Sequence, residues 1–244
     1  MPGWRALDPD NTLVIDTSKG RIVVAMRPDM APRAVARAKG LARDHVYDGL
    51  LFHRVIAGFV DQTGNPNNHD GGASSLPNLP PEFHFELNPA RVDAIATRAS
   101  DGITGFLGPV PFRAEPDLKH PGEFTASGVY CAGVAGMGRQ ADPNTSNSEI
   151  FFMRAPSRRL DGQYTVWGRV VLGLDVVRAV AAGEPPAHPD RMVRVRVMAD
   201  MPKGERPKLE TMETRSAEFG ALVQRMRAAK GADFSVCDVD VPVR

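Results

Sequence analysis

The chain has 244 residues, enough for one large domain or two small ones, and its 42% hydrophobic and 24% charged content is ordinary globular usage. A formal net charge of +1 gives no global field that would draw nucleic acid or an anionic membrane, and no run of about 18 apolar residues is present to span a bilayer. Two cysteines, Cys131 and Cys237, are too few for a disulfide scaffold; two small buried side chains are the simpler expectation, with one long-range disulfide as the alternative for an exported chain.

The segment Met1 to Asp8 has no apolar signal core, so a cytoplasmic location is expected, or a periplasmic one if a leader has been trimmed. Leu13 to Thr17 and Arg21 to Met26 flank Ser18-Lys19-Gly20 and predict a hairpin with a glycine turn. Pro32 can open the helix that follows, with Ala34, Val35, Ala38, Leu41 and Ala42 at helical spacing and Gly40 weakening it. Leu50 to Gln62 is apolar and broken by Gly58. Gly64 to Pro81, rich in Asn, Gly, Ser and Pro, predicts a long ordered loop.

An irregular insertion over about 87–126 has no clean periodicity, and Asn88-Pro89, Gly102, Gly105, Gly108-Pro109 and Pro111 suggest loops with one or two short strands. Strands are then expected at Val129 to Ala135, Glu149 to Met153 and Tyr164 to Val171, with a polar loop from Gln140 to Asn147. A short helix from Leu174 follows Gly173. Val193, Val195 and Val197 alternate with Arg194 and Arg196 as in a half-buried strand. In the tail, Ser216 can cap a helix with Phe219, Leu222, Val223 and Met226 on one stripe, and Gly231 can end it. A further extended segment is expected through Phe234, Val236 and Val239. Many short strands with two or three helices favour a mainly β barrel.

Three blocks carry chemistry. The run Phe52-His53-Arg54-Val55-Ile56-Ala57-Gly58-Phe59-Val60-Asp61-Gln62 resembles the signature segment of cyclophilin-type peptidyl-prolyl cis-trans isomerases. Asn144 to Phe152 and Leu160 to Val171 continue the pattern in the right order. The resemblance covers roughly residues 12–199 and is nearest to bacterial forms. It implies a closed eight-stranded antiparallel barrel capped by two helices, occupying residues 1–200, with 201–244 as an extension docked on it. About 40 residues are too few to be stable alone without a staple.

The resemblance implies isomerisation of X–Pro bonds in proline-containing peptide segments and in unfolded or folding proteins. No bond is broken, so no cofactor is required. It assigns catalysis to Arg54, Phe59 and Gln62. Val60, Phe151 and Leu160 would complete a proline pocket with Phe59, and Gly138, Arg139, Glu149, Arg159 and Tyr164 would line the substrate groove. Glu149 stands where the family usually has glutamine and is expected to pair with Arg54. Arg159 stands where tryptophan is frequent, which implies weak cyclosporin binding and a preference for acidic residues near proline. Gly138-Arg139 replaces a small Ala-Asn pair, and Asn65 an aspartate. A weakly active or inactive peptide-binding module is the rival reading, favoured by Glu149 and Arg139. His53 and His69 lack companion ligands at a recognisable spacing, so no metal is expected. Ser148 lacks the His/Asp arrangement of a nucleophile.

Overall fold

The computed structural model describes residues 3–87, 103–117 and 123–244, and the backbone of 94–96. Asn88-Pro89 and Gly102, used above as turn signals, lie outside these residues. The strands in chain order begin with β1 Trp4–Ala6, β2 Thr12–Thr17, β3 Gly20–Met26, β4 Arg54–Ile56 and β5 Val60–Thr63. They continue with β6 Phe85–Leu87, β7 Ala94–Ala96, β8 Ile103–Leu107, β9 Val110–Pro116 and β10 Phe124–Gly128. The last are β11 Val134–Met137, β12 Ile150–Met153, β13 Val166–Leu172, β14 Met192–Val197 and β15 Glu210–Met212. The helices are α1 Pro32–Arg43, α2 Leu174–Ala179 and α3 Ala217–Lys230.

Eight strands form one curled antiparallel sheet in the order β14-β2-β3-β13-β11-β12-β5-β4. The predicted hairpin is β2–β3. One face of this sheet encloses Leu13, Ile15, Ile22, Val24, Ile150, Phe152 and Trp167, and α1 and α2 add Val35, Leu41 and Val177 to the same core. No side chain of Ala31 caps α1. Glu82, from the long loop, accepts instead from the Arg33 and Ala34 amides at 2.9 and 2.8 Å, placing an anion at the helix N-terminus. Among the described residues no ladder joins the edge strands β14 and β4; isolated bridges, Leu51 to Arg191 and Val55 to Gly183, stand there instead.

Two strands differ from the sequence expectation. The segment from Val129 is not extended: Cys131 donates to the Val129 carbonyl and Val134 to that of Cys131, and Gly133 has φ +79°, so the strand starts at Val134. In β14 a register shift between Met192 and Arg194 turns Val193 outward, where it is 52% exposed, and the buried set is Met192, Val195 and Val197.

The insertion is more regular than expected. β6 to β10 make a five-stranded antiparallel sheet in the order β6-β10-β9-β8-β7. Its Phe106, Val110, Phe112 and Ala126 join a second core with Val60, Phe151 and Met153 on the outer face of the eight-stranded sheet. From the tail, Phe219, Val223, Phe234, Val236, Val239 and Val241 enter that same core. Ser216 caps α3 by accepting from the Phe219 amide at 3.1 Å, and Gly231 follows its last residue. Beyond it the chain is not one extended segment. Residues 231–233 and 236–238 form 3-10 turns, and only the end pairs with β15, through Thr211 and Val243. β15 also pairs with β1, so the N-terminal segment and the tail hold each other. Cys131 and Cys237 are disulfide-bonded, with Cα atoms 5.1 Å apart across 106 residues of sequence. The simpler expectation of two unlinked buried cysteines is thereby corrected.

One buried carboxylate ties stability to pH. Asp61 on β5 is fully buried and receives Arg154 Nη1 at 3.1 Å. Burial outweighs the arginine and pushes its pKa up to about 7. The folded state therefore holds this proton more tightly than the unfolded chain, where the value lies near 4. Its contribution to stability is full below about pH 4 and is lost as pH rises through about 7. Urea unfolding between pH 4 and 8 should show this decline, and Asp61→Asn should flatten it. An unchanged slope in the variant would assign the pH dependence to other groups.

Candidate active site

Register builds the site. Arg54 on β4 lies directly opposite Gln62 on β5, Gln62 lies opposite Phe151 on β12, and Phe151 lies opposite Gly136 on β11. Directly paired residues present their side chains on the same face of a sheet. One transverse row thus carries a cation, an amide, an aromatic ring and a residue with no side chain. A Cβ on Gly136 would fall 2.3 Å from Cζ of Phe151, so glycine there lets the ring lie flat across the strand. Side chains alternate along β12: Ile150 and Phe152 enter the core enclosed by the eight-stranded sheet, and Phe151 faces outward.

Arg54, Phe59, Val60, Gln62, Gly138, Arg139, Phe151, Leu160 and Tyr164 line a single groove of about 330 Å³. Tyr164 meets the Phe151 ring edge-on at 5.8 Å, and Tyr130 stacks against Phe151 at 5.7 Å. Gly58, at φ +69°, makes the turn that delivers Phe59. Leu160 ends a 3-10 turn anchored by Asp161, whose Oδ1 accepts from the Tyr130 amide at 2.8 Å. Two arginines flank the aromatic walls. The guanidinium of Arg139 sits 4.4 Å from the Tyr164 ring centre, and that of the exposed Arg159 sits 4.6 Å from the Phe59 ring centre.

Glu149 corrects an expectation. It does not pair with Arg54. It is buried behind the row, where Oε1 accepts from Gln62 Nε2 at 2.7 Å and Oε2 accepts from Asn65 Nδ2 at 2.5 Å. Gln62 Oε1 accepts in turn from Arg54 Nη1. The carboxylate therefore reaches Arg54 only through Gln62, and it fixes which end of the Gln62 amide faces the arginine. Gly138 makes room for this placement, since a Cβ there would lie 2.1 Å from Glu149 Oε1.

The carboxylate that does touch Arg54 was not found from the sequence. It is Glu184, on the connection between α2 and β14, which accepts from Arg54 Nε at 2.7 Å. No motif surrounds Glu184, and its separation of 130 residues from Arg54 offers no pattern to read. His53 is also less isolated than its spacing suggested. Asp70 and Glu149 each bring an oxygen to it, with all ligand-type atoms within 4.8 Å of one another, and His69 is not among them.

Comparisons with known proteins identify the family. The model of the cyclophilin type peptidyl-prolyl cis-trans isomerase/CLD family matches residues 12–197. A probable peptidyl-prolyl cis-trans isomerase of Brucella suis is 34% identical over 202 residues, covering 80% of this chain and 86% of that protein. The fission-yeast isomerase ppi1 is 29% identical over 185 residues, covering 74% of this chain and 94% of its own. The crystal structure of cyclophilin AquaCyp293 from Hirschia baltica superposes with TM-score 0.89 at 32% identity, over 99% of this chain and 92% of that one. A Cryptosporidium parvum cyclophilin crystallised in the presence of the dipeptide Ala-Pro, 18% identical, covers 76% of this chain and 98% of its own with TM-score 0.54, a likeness of fold. The chain belongs to the cyclophilin-type peptidyl-prolyl cis-trans isomerase family. It is an isomerase of X–Pro peptide bonds, and the Hirschia match, over 99% of this chain, extends past the family model into the tail.

Proposed function

We propose that Arg54 is the principal catalytic group, that Phe59, Val60, Phe151 and Leu160 hold the proline ring, and that Gln62 positions the substrate backbone. The observation that carries this is the row Arg54–Gln62–Phe151 on adjacent strands at the groove wall. The uncatalysed barrier, about 18–20 kcal/mol, comes from amide conjugation. As the bond twists, conjugation is lost and a lone pair develops on the prolyl nitrogen. A guanidinium has five N–H donors, so the bonds to Glu184 and Gln62 leave others for that nitrogen. Stabilising the twisted amide by about 4 kcal/mol accelerates exchange roughly a thousandfold. Protease-coupled or NMR exchange assays on a short X–Pro peptide test these roles by substitution.

Substrates are proline-containing peptide segments, including those of unfolded or folding proteins. Arg139 and Arg159 favour segments with an acidic residue near proline. At low salt, kcat/KM for a peptide with Glu beside the X–Pro pair should exceed that of its Gln counterpart by about 2- to 5-fold, and the gap should close at high salt. Equal rates at all ionic strengths would remove the arginines from specificity. We further take the eight-stranded sheet as a barrel whose seam is the bridges at Leu51 and Val55. Residues 201–244 act as an extension of it. The disulfide favours an oxidising compartment such as the periplasm over the cytoplasm. Alkylation and mass spectrometry of the natively expressed protein would reveal free thiols if that placement is wrong.

A further inference from the structure

We propose that His53, Glu149 and Asp70 form a binding site for one divalent transition-metal ion of the zinc class, immediately behind Gln62. His53 is 3% exposed, and neither of its ring nitrogens has a hydrogen-bond partner. A buried imidazole normally satisfies at least one nitrogen, and the approach of Glu149 is too long to do so. Its Nε2 lies 3.5 Å from Glu149 Oε2. Two atoms bound to one tetrahedral zinc ion at about 2.1 Å are separated by about 3.4 Å, so this gap suits ligands of a shared ion. Asp70 supplies the third donor from the groove rim, within the 4.8 Å cluster. Asp70 is exposed on a glycine-containing loop, which allows its carboxylate to close the remaining gap and complete the coordination sphere.

The donor set is one imidazole nitrogen and two carboxylate oxygens, which suits zinc and leaves a fourth position for water. Glu149 can serve without abandoning its neighbours, because a carboxylate has about four lone-pair sites and Oε1 is the oxygen that holds Gln62. Asn65 adds a second buried atom without a partner, Oδ1, beside the same carboxylate. The neutral glutamine usual in the family at position 149 would offer no charge here. The glycine at position 138 leaves the space that Glu149 occupies.

The test is calorimetric titration of the chelator-treated full chain with zinc chloride, alongside cobalt(II) absorption and the NMR signals of the His53 ring. One ion per chain should bind with Kd well below about 1 mM, and the His53 signals should shift on binding. Glu149→Gln and Asp70→Asn should each weaken binding at least about tenfold. Asp70 is exposed, so its variant keeps the test valid if Glu149→Gln fails to fold. Absence of saturable binding overturns the site. So does unchanged affinity in Asp70→Asn, or unmoved His53 signals, either of which would assign the ion elsewhere, for example to His45 and Asp48, 2.9 Å apart on the surface. These readouts are independent of isomerase activity.

Discussion

Replacing Arg54 by alanine should lower kcat/KM on a neutral X–Pro peptide by at least about a hundredfold while leaving the fold intact, as for loss of a preorganised transition-state donor. Arg54 stands on β4, an edge strand, and its side chain is 30% exposed. Its removal therefore opens no core cavity. Its partner Glu184 is 52% exposed and can be solvated by water. Gln62 remains held through Glu149, so the groove keeps most of its shape. The loss should fall on kcat more than on KM, because the proline pocket survives and only the donor to the twisted nitrogen is gone. Arg54→Lys should recover part of the rate but not all of it, since an ammonium keeps the charge and lacks the fork that bonds Glu184 and Gln62 together. Wild-type-like turnover by a folded Arg54→Ala protein would falsify the assignment.

The site was legible in the sequence to the extent that it rests on adjacent strands. The Phe52–Gln62 run spans β4, a glycine turn and β5, so cross-strand pairing of Arg54 with Gln62 follows once a hairpin is assumed. The outward direction of Phe151 follows from period-2 alternation. Glu149 shows where this reasoning ends. It precedes the strand that starts at Ile150, and its burial depends on the space left by Gly138, which follows the end of β11, a contact across the intervening loop. Glu184 and Asp70 sit in loops, where neither period nor spacing constrains what they face. The insertion failed for a different reason. β8 and β9 are joined at Gly108 and partly covered on both faces, which erases the alternation that marks a strand.

Deleting the chain after Met201 should lower the thermal midpoint by on the order of 10 °C or more and make the shortened protein prone to associate. The tail brings six buried apolar side chains, Phe219, Val223, Phe234, Val236, Val239 and Val241, into the core that also contains Val60 and Phe151. Full burial of one such side chain contributes about 1.5–3 kcal/mol, and a long-loop disulfide about 2–4 kcal/mol. Truncation also deletes β15, the partner of β1, and Asp240, which accepts from the buried Arg169 Nη2 at 2.6 Å. The rest of that guanidinium is satisfied by the Pro109 and Ala132 carbonyls, so losing Asp240 removes its counter-charge. The pocket floor should loosen as well, because Phe151 is backed by Tyr130, the neighbour of Cys131. Phe234→Ala in the full chain provides the milder version, costing about 3–5 kcal/mol if its burial is what matters. Scanning calorimetry and size-exclusion chromatography on both variants measure these effects. A truncated chain with the parental midpoint and a monomeric profile, together with a silent Phe234→Ala, would mean that the tail rests on the barrel without stabilising it.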